Sequence, residues 1–365
     1  MPTTNKKRTL RANTAAGAKS KKKKPATRGK KKAGGRSRLL ARVISVATLA
    51  LFLGLCVLGD WYVHHPREWL QENKGLLTAP LEYLGDRTAL LTDGLGWTGH
   101  DAVYESDDPV PEGQVFFAGA PVRTGAPAPA DIVTLNRGEF VLGWSPSLQH
   151  PVWAAYHVVP EARFSMDLNN RPNFQKDRNV ANSPSADAYT RSGYDRGHMV
   201  PNRAIVTRYG PDEQKKTFLM TNIAPQKPAL NRGPWRELEQ RIVELWTAKY
   251  GEIWVVVGTV PSPSREKLPN SSVSIPSHYY MLMLAQTPDG VRALAVLLSQ
   301  DDGIGCFPVH SIVTINELEE MTGLDFLPDM PGFLKKPLKA DRPTRLWPVR
   351  LLDILKLVLI RFRFC

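Results

Sequence analysis

Short apolar runs and one longer run of helical period dominate the middle of the chain. Leu238, Ile242, Leu245 and Trp246 recur at helical spacing, and Gly251 follows them in the position of a C-cap, which predicts one central helix. INELEEMTGLDF predicts a second, short helix. The runs rich in aromatic and β-branched residues, bounded by turn residues, predict strands. These runs are FVLGWS, PVWAAYHVV, TFLMTNIA, IWVVVGTV, HYYMLMLAQ and ALAVLLSQ. Because strands dominate without regular βαβ alternation, we expect an α+β fold with a mainly antiparallel central sheet.

Changes in composition along the sequence predict five segments. Residues 1–38 form a disordered Lys-rich tail, and residues 39–60 are apolar. Residues 61–131 are predicted to be a weakly helical stalk followed by a Pro/Gly/Ala-rich linker. Residues 132–335 carry the strands and helices of a folded domain. Residues 336–365 are basic and amphipathic, and the sequence leaves open whether they pack on the domain or lie on a membrane surface.

The apolar segment contains VISVATLALFLGLCVLG, residues 43–59, without a charged residue. With the residues before it, the run approaches the ~20 residues that span a bilayer. Trp61 and Tyr62 follow where an interfacial aromatic belt would lie. We interpret residues 39–60 as a transmembrane helix or signal anchor, with a cytoplasmic N-terminus and an exported domain. Two alternatives stay open, a signal peptide that is cleaved to release a secreted protein, and a buried core helix.

The net charge of +13 on 365 residues suggests a nucleic-acid-binding surface, but the charge is not evenly distributed along the chain. Residues 1–38 hold 15 Lys and Arg and no acid, which leaves 33 basic and 35 acidic residues in the remainder. The basic excess therefore belongs to the tail. Cys56, Cys306 and Cys365 show no CxxC spacing, which excludes zinc-ribbon and thioredoxin-like classes. A Cys306–Cys365 bridge stays open for an oxidising compartment.

Two polar motifs interrupt the apolar pattern and point to chemistry. GYDRGHMVPN places Asp195, Arg196 and His198 within four residues. Downstream, TNIAPQKPALNRGPWRELE pairs Asn231 with Glu239, eight residues later. If a helix begins near Pro234, the imidazole, the amide and the carboxylate converge from a strand and the start of that helix.

The two motifs together resemble a known family. DRGH followed by N-x-x-P-Q-x-x-x-x-N-x-x-x-W-x-x-x-E is similar to the DNA/RNA non-specific endonucleases of the ββα-metal type, which include secreted bacterial nucleases and the mitochondrial endonuclease G group. The resemblance extends from about Phe140 to about Pro331. It implies a ββα-metal active-site motif within the α+β fold.

The resemblance also implies roles for individual residues. His198 matches the general base that acts on the attacking water. Asn231 matches the residue that binds one Mg²⁺ through its amide oxygen. Glu239 matches the acid that positions metal-bound waters. Arg196 matches an arginine near the scissile phosphate, and Arg171, in NNRPNFQKD, is the candidate for a second family arginine.

Four further residues are predicted to support the site. Asn222 and Gln226 fall on polar positions of the second motif and are expected to hold its shape. Asp195 is expected to offset or anchor Arg196, and Gly197 to permit a close backbone approach.

The chemistry of phosphodiester hydrolysis agrees with these residue types. Mg²⁺ keeps most of its waters and takes few protein oxygens, so one neutral amide leaves its charge available to the phosphate; Mn²⁺ is a possible substitute. A base must be neutral near pH 7–8, and the ordinary histidine pKa of about 6.5 allows this. We expect Arg196 and the metal to keep His198 deprotonated.

The sequence therefore predicts a membrane-anchored, exported, Mg²⁺-dependent endonuclease that cleaves DNA and RNA. The family resemblance implies that its products carry 5′-phosphate and 3′-hydroxyl ends and that it forms a homodimer. Two hypotheses compete with it. One is a catalytically idle nucleic-acid-binding module on a membrane tether. The other is a phosphodiesterase of small substrates.

Overall fold

The computed structural model describes residues 100–104, 115–160, 162–164, 171–301 and 311–364. The tail, the apolar segment of residues 39–60 and the three cysteines, together with most of the predicted stalk, lie outside these residues. Among the helices of the described residues, none has both the length and the apolar content needed to cross a bilayer.

The centre of the fold is an antiparallel eight-stranded sheet. Its strands run in the order β1-β10-β9-β8-β5-β4-β3, and β11 also pairs with β10. The strands are β1 (Ala102–Tyr104), β3 (Val133–Asn136), β4 (Phe140–Ser145), β5 (His150–Val158), β8 (Ile253–Pro261), β9 (Pro276–Thr287), β10 (Gly290–Ser299) and β11 (Ile312–Val313). The mixed helix and strand fold with an antiparallel central sheet confirms the α+β prediction.

Two smaller sheets and the helices complete the described fold. The two-stranded sheets are β2 (Val122–Arg123) with β12 (Leu324–Asp325), and β6 (Asp195–His198) with β7 (Ile223–Gln226). The α-helices are α1 (Asn202–Tyr209), α2 (Pro211–Thr217), α3 (Pro228–Arg232), α4 (Pro234–Gln240), α5 (Thr247–Tyr250), α6 (Ile315–Thr322), α7 (Gly332–Ala340) and α8 (Ile354–Phe364).

Both faces of the central sheet are covered. On β9, Tyr279 and Met281 enter one hydrophobic cluster, whereas Tyr280 and Leu282 enter the other. Successive side chains of a strand point to opposite faces, so a sheet covered on both sides needs continuous apolar runs. Helix α4 packs on the first face, and α6 and α7 pack on the second.

One predicted strand forms differently. The run TFLMTNIA, residues 217–224, contains the end of α2 at Thr217, a 3-10 turn over Met220–Asn222 and only the beginning of β7. The buried amide of Asn222 causes the turn, because its nitrogen donates to the carbonyls of Val200 at 3.0 Å and Thr217 at 2.9 Å. A side chain that binds the backbone in this way competes with a continuous strand.

The described part of the predicted linker is packed against the domain. Strand β1 pairs with β10, and Phe117, Ala118 and Ala128 are buried in the second hydrophobic cluster. These apolar residues between prolines and glycines are core positions, so the prediction of a linker is wrong for residues 102–104 and 115–131.

The predicted central helix is present, with a change of register inside it. Helix α4 continues through a π-helical segment, Arg241–Trp246, into α5, which ends at Gly251 with a φ of 83°. Within the π segment, the carbonyl of Val243 accepts a hydrogen bond from Arg208 Nη2 at 2.7 Å. The side chain of Arg208 thus satisfies a carbonyl beside the irregular turn.

The segment after residue 335 packs on the domain. Trp347 is fully buried, and its ring meets Trp246 edge-on at 5.6 Å between centroids. Trp246 Nε1 also donates to the Trp347 carbonyl at 2.7 Å. Leu357 and Ile360 of α8 enter the same cluster. One side of the described C-terminal segment therefore packs on the domain, and its exposed leucines leave a membrane contact of the other side open.

We expect Trp347→Ala to lower the free energy of unfolding by about 3–5 kcal/mol, because it empties a fully enclosed indole site. Urea unfolding followed by circular dichroism measures this change. Leu351→Ala is the matched control, since Leu351 belongs to the same segment and is 72% exposed. Equal unfolding midpoints for the two variants would contradict a structural role for this segment.

Candidate active site

The two polar motifs meet on the small sheet formed by β6 and β7. The register pairs His198 with Ile223 and Asp195 with Gln226. Helix α3 begins two residues after β7, and α4 follows Gly233. Two antiparallel strands and the helices that follow therefore bring DRGH, Asn231 and Glu239 to one place.

A cleft of about 460 Å³ opens at this place. Six of the eight predicted site residues line it, and they are His198, Asn231, Glu239, Arg196, Arg171 and Asp195. The other two, Asn222 and Gln226, are fully buried beneath the strands and do not line the cleft. The structure thus separates the residues that face the cleft from the two that shape it.

The His198 imidazole lies between two phenylalanine rings. Its centroid is 5.3 Å from that of Phe174 and 5.0 Å from that of Phe218, which it meets edge-on. Nε2 has no hydrogen-bond partner among the described residues. Burial, with the Arg171 guanidinium as a second cause, lowers the pKa of His198 to about 3. The imidazole is therefore neutral at physiological pH, and the arginine that contributes is Arg171, whereas the sequence argument assigned this effect to Arg196.

The two predicted arginines are held by the same aromatic rings. The Arg171 guanidinium lies 5.1 Å from the centroid of Phe218, and that of Arg196 lies 5.6 Å from the centroid of Phe174. Arg196 also donates to the Ala186 carbonyl from Nε at 3.0 Å and from Nη2 at 2.8 Å. The arrangement fixes two positive charges beside a neutral imidazole.

Asp195 binds Asn231 and Arg232. Asn231 Nδ2 donates to Asp195 Oδ2 at 2.9 Å, and Arg232 donates to both carboxylate oxygens at 2.8 and 2.6 Å. Arg196 makes its hydrogen bonds to Ala186 and Thr190, so Asp195 does not anchor it, but its charge helps to lower the pKa of Asp195, which agrees with the expectation that the two charges offset each other. Burial acts to raise the pKa of Asp195, but the bonds from Arg232 and Asn231 hold it below its usual range.

The hydrogen bond from Asn231 Nδ2 to Asp195 decides which atom of Asn231 is available to bind a cation. Because Nδ2 is committed to the Asp195 carboxylate, the carbonyl oxygen Oδ1 is the atom left to receive a cation. Asp195 therefore orients the amide in the sense that a metal ligand requires.

Glu239 lies in the last turn of α4, half-buried at the cleft. Burial raises the pKa of its carboxyl to about 8, and the nearby Arg236 and Arg171 guanidiniums oppose part of that rise. A carboxyl in this state releases its proton readily when a cation arrives.

Asn222 and Gln226 shape the strands beneath the cleft. Besides its two donated bonds, Asn222 accepts from the Val200 backbone N–H at 3.0 Å through Oδ1, which ties the chain after β6 to the chain before β7. A Cβ atom at Gly197 would lie 2.6 Å from Gln226 Oε1. The close approach at Gly197 is thus to the side chain of Gln226.

The donors at the cleft fit a hydrated hard cation. Among the described residues, no group of three or more His, Cys, Asp or Glu is placed to hold a metal. One oriented amide oxygen, one carboxyl group and a cleft with room for waters match the few protein ligands that Mg²⁺ takes.

Three arginines of the cleft were missed by sequence reasoning. Arg203, Arg232 and Arg236 also line it. Arg203 pairs with Glu244 at 2.8 Å. The available signal was positional, since Arg232 directly follows the motif residue Asn231 and Arg236 directly follows the motif residue Trp235.

The sequence model of the DNA/RNA non-specific endonuclease family matches residues 118–333, which is more than half of the chain. The chain belongs to this family, as its two motifs predicted. The mitochondrial nuclease of Saccharomyces cerevisiae is 28% identical over 231 residues, covering 56% of this chain and 68% of that protein. The mitochondrial endonuclease G of Bos taurus is 26% identical over 240 residues, covering 58% of this chain and 79% of that protein.

A solved structure, the complex of EndoG with EndoGI, is also similar, with 22% identity, coverage of 54% of this chain and 86% of that one, and a TM-score of 0.49. The family and the relatives named as nucleases define this chain as an enzyme, a metal-dependent nuclease that acts on nucleic acids.

Proposed function

We propose that the protein is a Mg²⁺-dependent endonuclease that hydrolyses phosphodiester bonds of DNA and RNA and leaves 5′-phosphate and 3′-hydroxyl ends. One observation carries this proposal. His198, Asn231 and Glu239 line a single cleft together with five arginines. A base, an oriented amide oxygen and an acid beside fixed positive charge are the groups that metal-assisted attack of water on a phosphate requires.

In the proposed mechanism, the neutral imidazole of His198 accepts a proton from the attacking water. The Phe174 and Phe218 rings hold it in place, and its Nε2 has no competing partner among the described residues. Arg171 and Arg196 bind phosphate oxygens, which lowers the energy of the more negative transition state. Because these groups contact phosphate and make no use of base edges, we expect little sequence preference.

Asn231 and Glu239 would hold the cation. Asn231 presents Oδ1, which Asp195 orients, and Glu239 would hold waters of a bound ion. When bound, Mg²⁺ acts as a Lewis acid that stabilises negative charge on the phosphate and on the leaving 3′-oxygen. Mn²⁺ has the same preference for oxygen ligands and is the expected substitute.

A plasmid-nicking assay tests the proposal. Supercoiled DNA should become nicked and then linear with Mg²⁺, remain intact with excess chelator, and a structured RNA should be degraded under the same conditions. Binding without cleavage at any Mg²⁺ or Mn²⁺ concentration would favour the idle binding module. Efficient hydrolysis of a chromogenic small diester, with plasmid DNA left intact, would favour the small-substrate phosphodiesterase.

We also propose that residues 39–60 anchor the enzyme in a membrane with its nuclease domain exported, or that they are removed to release a secreted form. The uncharged run of residues 43–59 behind a Lys-rich tail supports this. Carbonate extraction distinguishes the two, since an anchored chain stays in the membrane pellet at full length. We also propose that the protein forms a homodimer, and analytical ultracentrifugation in detergent measures whether its mass is that of one chain or two.

We expect the apparent Mg²⁺ affinity to rise with pH and to level off near pH 8. Below the Glu239 pKa of about 8, the carboxyl is protonated and an incoming cation must displace the proton. The half-saturating Mg²⁺ concentration should then fall by up to about tenfold per pH unit as the pH rises from 6 to 8. Calorimetry in two buffers of different ionisation enthalpy should detect proton release on Mg²⁺ binding. Glu239→Gln should abolish both effects, and pH-independent binding by the wild type would remove Glu239 from the metal site.

We expect Arg203→Gln to weaken polymeric substrate binding and to flatten its salt dependence. Arg203 lines the cleft from α1 and is separate from the proposed base and metal ligands. The slope of log KM against log salt should fall by about one if the guanidinium neutralises one phosphate. Lys336→Gln on α7 is the control with the same loss of charge, and Lys336 is exposed and does not line the cleft. Equal slopes for the two variants would remove Arg203 from the substrate path.

A further inference from the structure

Four leucines of the C-terminal segment are exposed on one side of α8 and of the turn before it. Leu351, Leu352, Leu355 and Leu359 are 72%, 89%, 69% and 61% exposed, and we call them the leucine stripe. Leu355 and Leu359 are four residues apart on α8, so they lie on one side of it, and Leu351 and Leu352 lie in the 3-10 turn, Leu351–Asp353, directly before the helix. A contiguous apolar surface of this kind marks an interaction site, whereas scattered single residues do not.

The stripe belongs to a helix that is already fixed to the domain. Leu357 and Ile360, on the other side of α8, are buried in the first hydrophobic cluster together with Trp347. The helix therefore has one apolar side that forms part of the core and a second that faces outward. Packing on the domain explains the first side and leaves the second without a structural function.

The positive charge of the segment that carries the stripe favours one kind of partner over two others. Residues 350–365, which carry the stripe, contain four Lys and Arg and one acid, Asp353, which is buried and paired with Arg350 and Lys356. A second copy of this chain would bring an equally basic surface against the first. A nucleic acid would pair with the basic residues but would not bury four leucine side chains. An anionic lipid surface satisfies both the charge and the apolar side chains.

The chain before residue 100 reaches the domain beside this segment. The His100 N–H donates to Thr344 Oγ1 at 2.7 Å, and the Thr344 N–H donates to the His100 carbonyl at 3.0 Å. Arg345 Nε also donates to Asp101 Oδ1 at 2.9 Å. The uncharged apolar run of residues 43–59 precedes this junction in the sequence.

We propose that the leucine stripe is a membrane-surface contact that inserts among anionic lipids and holds the nuclease domain against the bilayer. Arg350 and Lys356 lie beside the stripe, where lipid headgroups would meet them. The contact goes beyond the proposed function, since none of its residues lines the catalytic cleft.

An environment-sensitive fluorophore on the full-length chain tests the contact. Leu355→Cys is labelled after Cys56, Cys306 and Cys365 are changed to serine, and the chain is reconstituted into vesicles of phosphatidylcholine with or without phosphatidylglycerol. We expect a blue shift of the emission and at least twofold quenching by brominated lipids in the anionic vesicles, with smaller effects in the neutral ones. Glu320→Cys is the control site, because Glu320 is exposed on α6, which packs on the opposite face of the sheet.

Each other outcome overturns the proposal. If the labels at positions 355 and 320 had the same emission on vesicles that carry nuclease activity, the stripe would be exposed to water and would not contact the lipid. A blue shift without lipid that grows with protein concentration would identify a second copy as the partner. A blue shift in dilute, lipid-free protein would show that another part of the same chain covers the stripe. Leu355→Gln with Leu359→Gln should remove vesicle quenching of a label at Leu351→Cys and leave plasmid nicking unchanged, which separates this contact from catalysis.

Discussion

His198→Ala should lower kcat for plasmid cleavage by about 10²–10⁴-fold, the usual contribution of a positioned general base. The side chain is the cleft's imidazole, it is held between two phenylalanine rings, and it is neutral because burial and Arg171 lower its pKa to about 3. Initial rates of nicking at saturating Mg²⁺ measure the loss. A gel-shift assay on the same variant should show that DNA is still bound, since the arginines of the cleft remain.

The matched control is His100→Ala, which removes an exposed imidazole paired with Asp341 and outside the cleft. It should cleave at the wild-type rate. If His198→Ala cleaves as fast as this control, His198 is not the base, and the hydrolytic mechanism proposed here fails.

The same residue makes a prediction about pH. kcat/KM reports the ionisation of free enzyme, and a base with a pKa of about 3 stays neutral as the pH falls from 8 to 6. A bound cation would lower that pKa further, so the imidazole would still be neutral between pH 8 and pH 6. At saturating Mg²⁺, kcat/KM should therefore be flat over this interval. An acid limb near pH 6.5 under these conditions would show an imidazole with an ordinary pKa.

The sequence predicted the main strands and the central helix because each has a local cause. β8, β9 and β10 are continuous apolar runs since both faces of the sheet are covered, and α4 to α5 shows helical spacing up to a glycine cap. The C-terminal segment was undecidable, because its fixed position depends on a contact between Trp246 and Trp347, 101 residues apart. The π segment was also missed, since one of the two side chains that donate to its Val243 carbonyl, Arg208, belongs to α1, although the other, Thr247, is local.

The site shows the same division between local and distant causes. The spacing of the two motifs brought His198, Asn231 and Glu239 into one hypothesis, and the structure places all three at one cleft. The hydrogen-bond partner of Asp195 was missed, because Arg196, its neighbour in sequence, was the expected one and interacts with it through charge. Asp195 and Arg196 lie on a strand, where successive side chains point to opposite faces, so adjacent residues of this strand are poorly placed to pair. The partner is instead Arg232, one residue beyond Asn231.

Asn231→Ala should abolish most activity at ordinary Mg²⁺ concentrations and raise the Mg²⁺ demand, because it removes the amide oxygen that Asp195 orients. Loss of an orienting partner of a metal ligand typically costs about 10–100-fold, so Asp195→Ala should fall in that range and Asn231→Ala should be at least as severe. Nicking rates across a Mg²⁺ titration separate weaker metal use from slower chemistry. Full activity of Asn231→Ala at unchanged Mg²⁺ demand would exclude it as the metal ligand.

The double variant gives the sharper test of this pair. If Asp195 acts on catalysis by orienting Asn231, Asp195→Ala should add almost nothing in the Asn231→Ala background, whereas independent roles would add their full effects. Asn231→Asp should also be impaired at neutral pH, since it replaces a donor 2.9 Å from the Asp195 carboxylate with a second carboxylate. Arg232→Gln is the control, because it removes the other partner of Asp195 and leaves the amide bond in place. Additive losses in the double variant would mean that Asp195 supports the cleft through Arg232 and that the orientation of Asn231 has another cause.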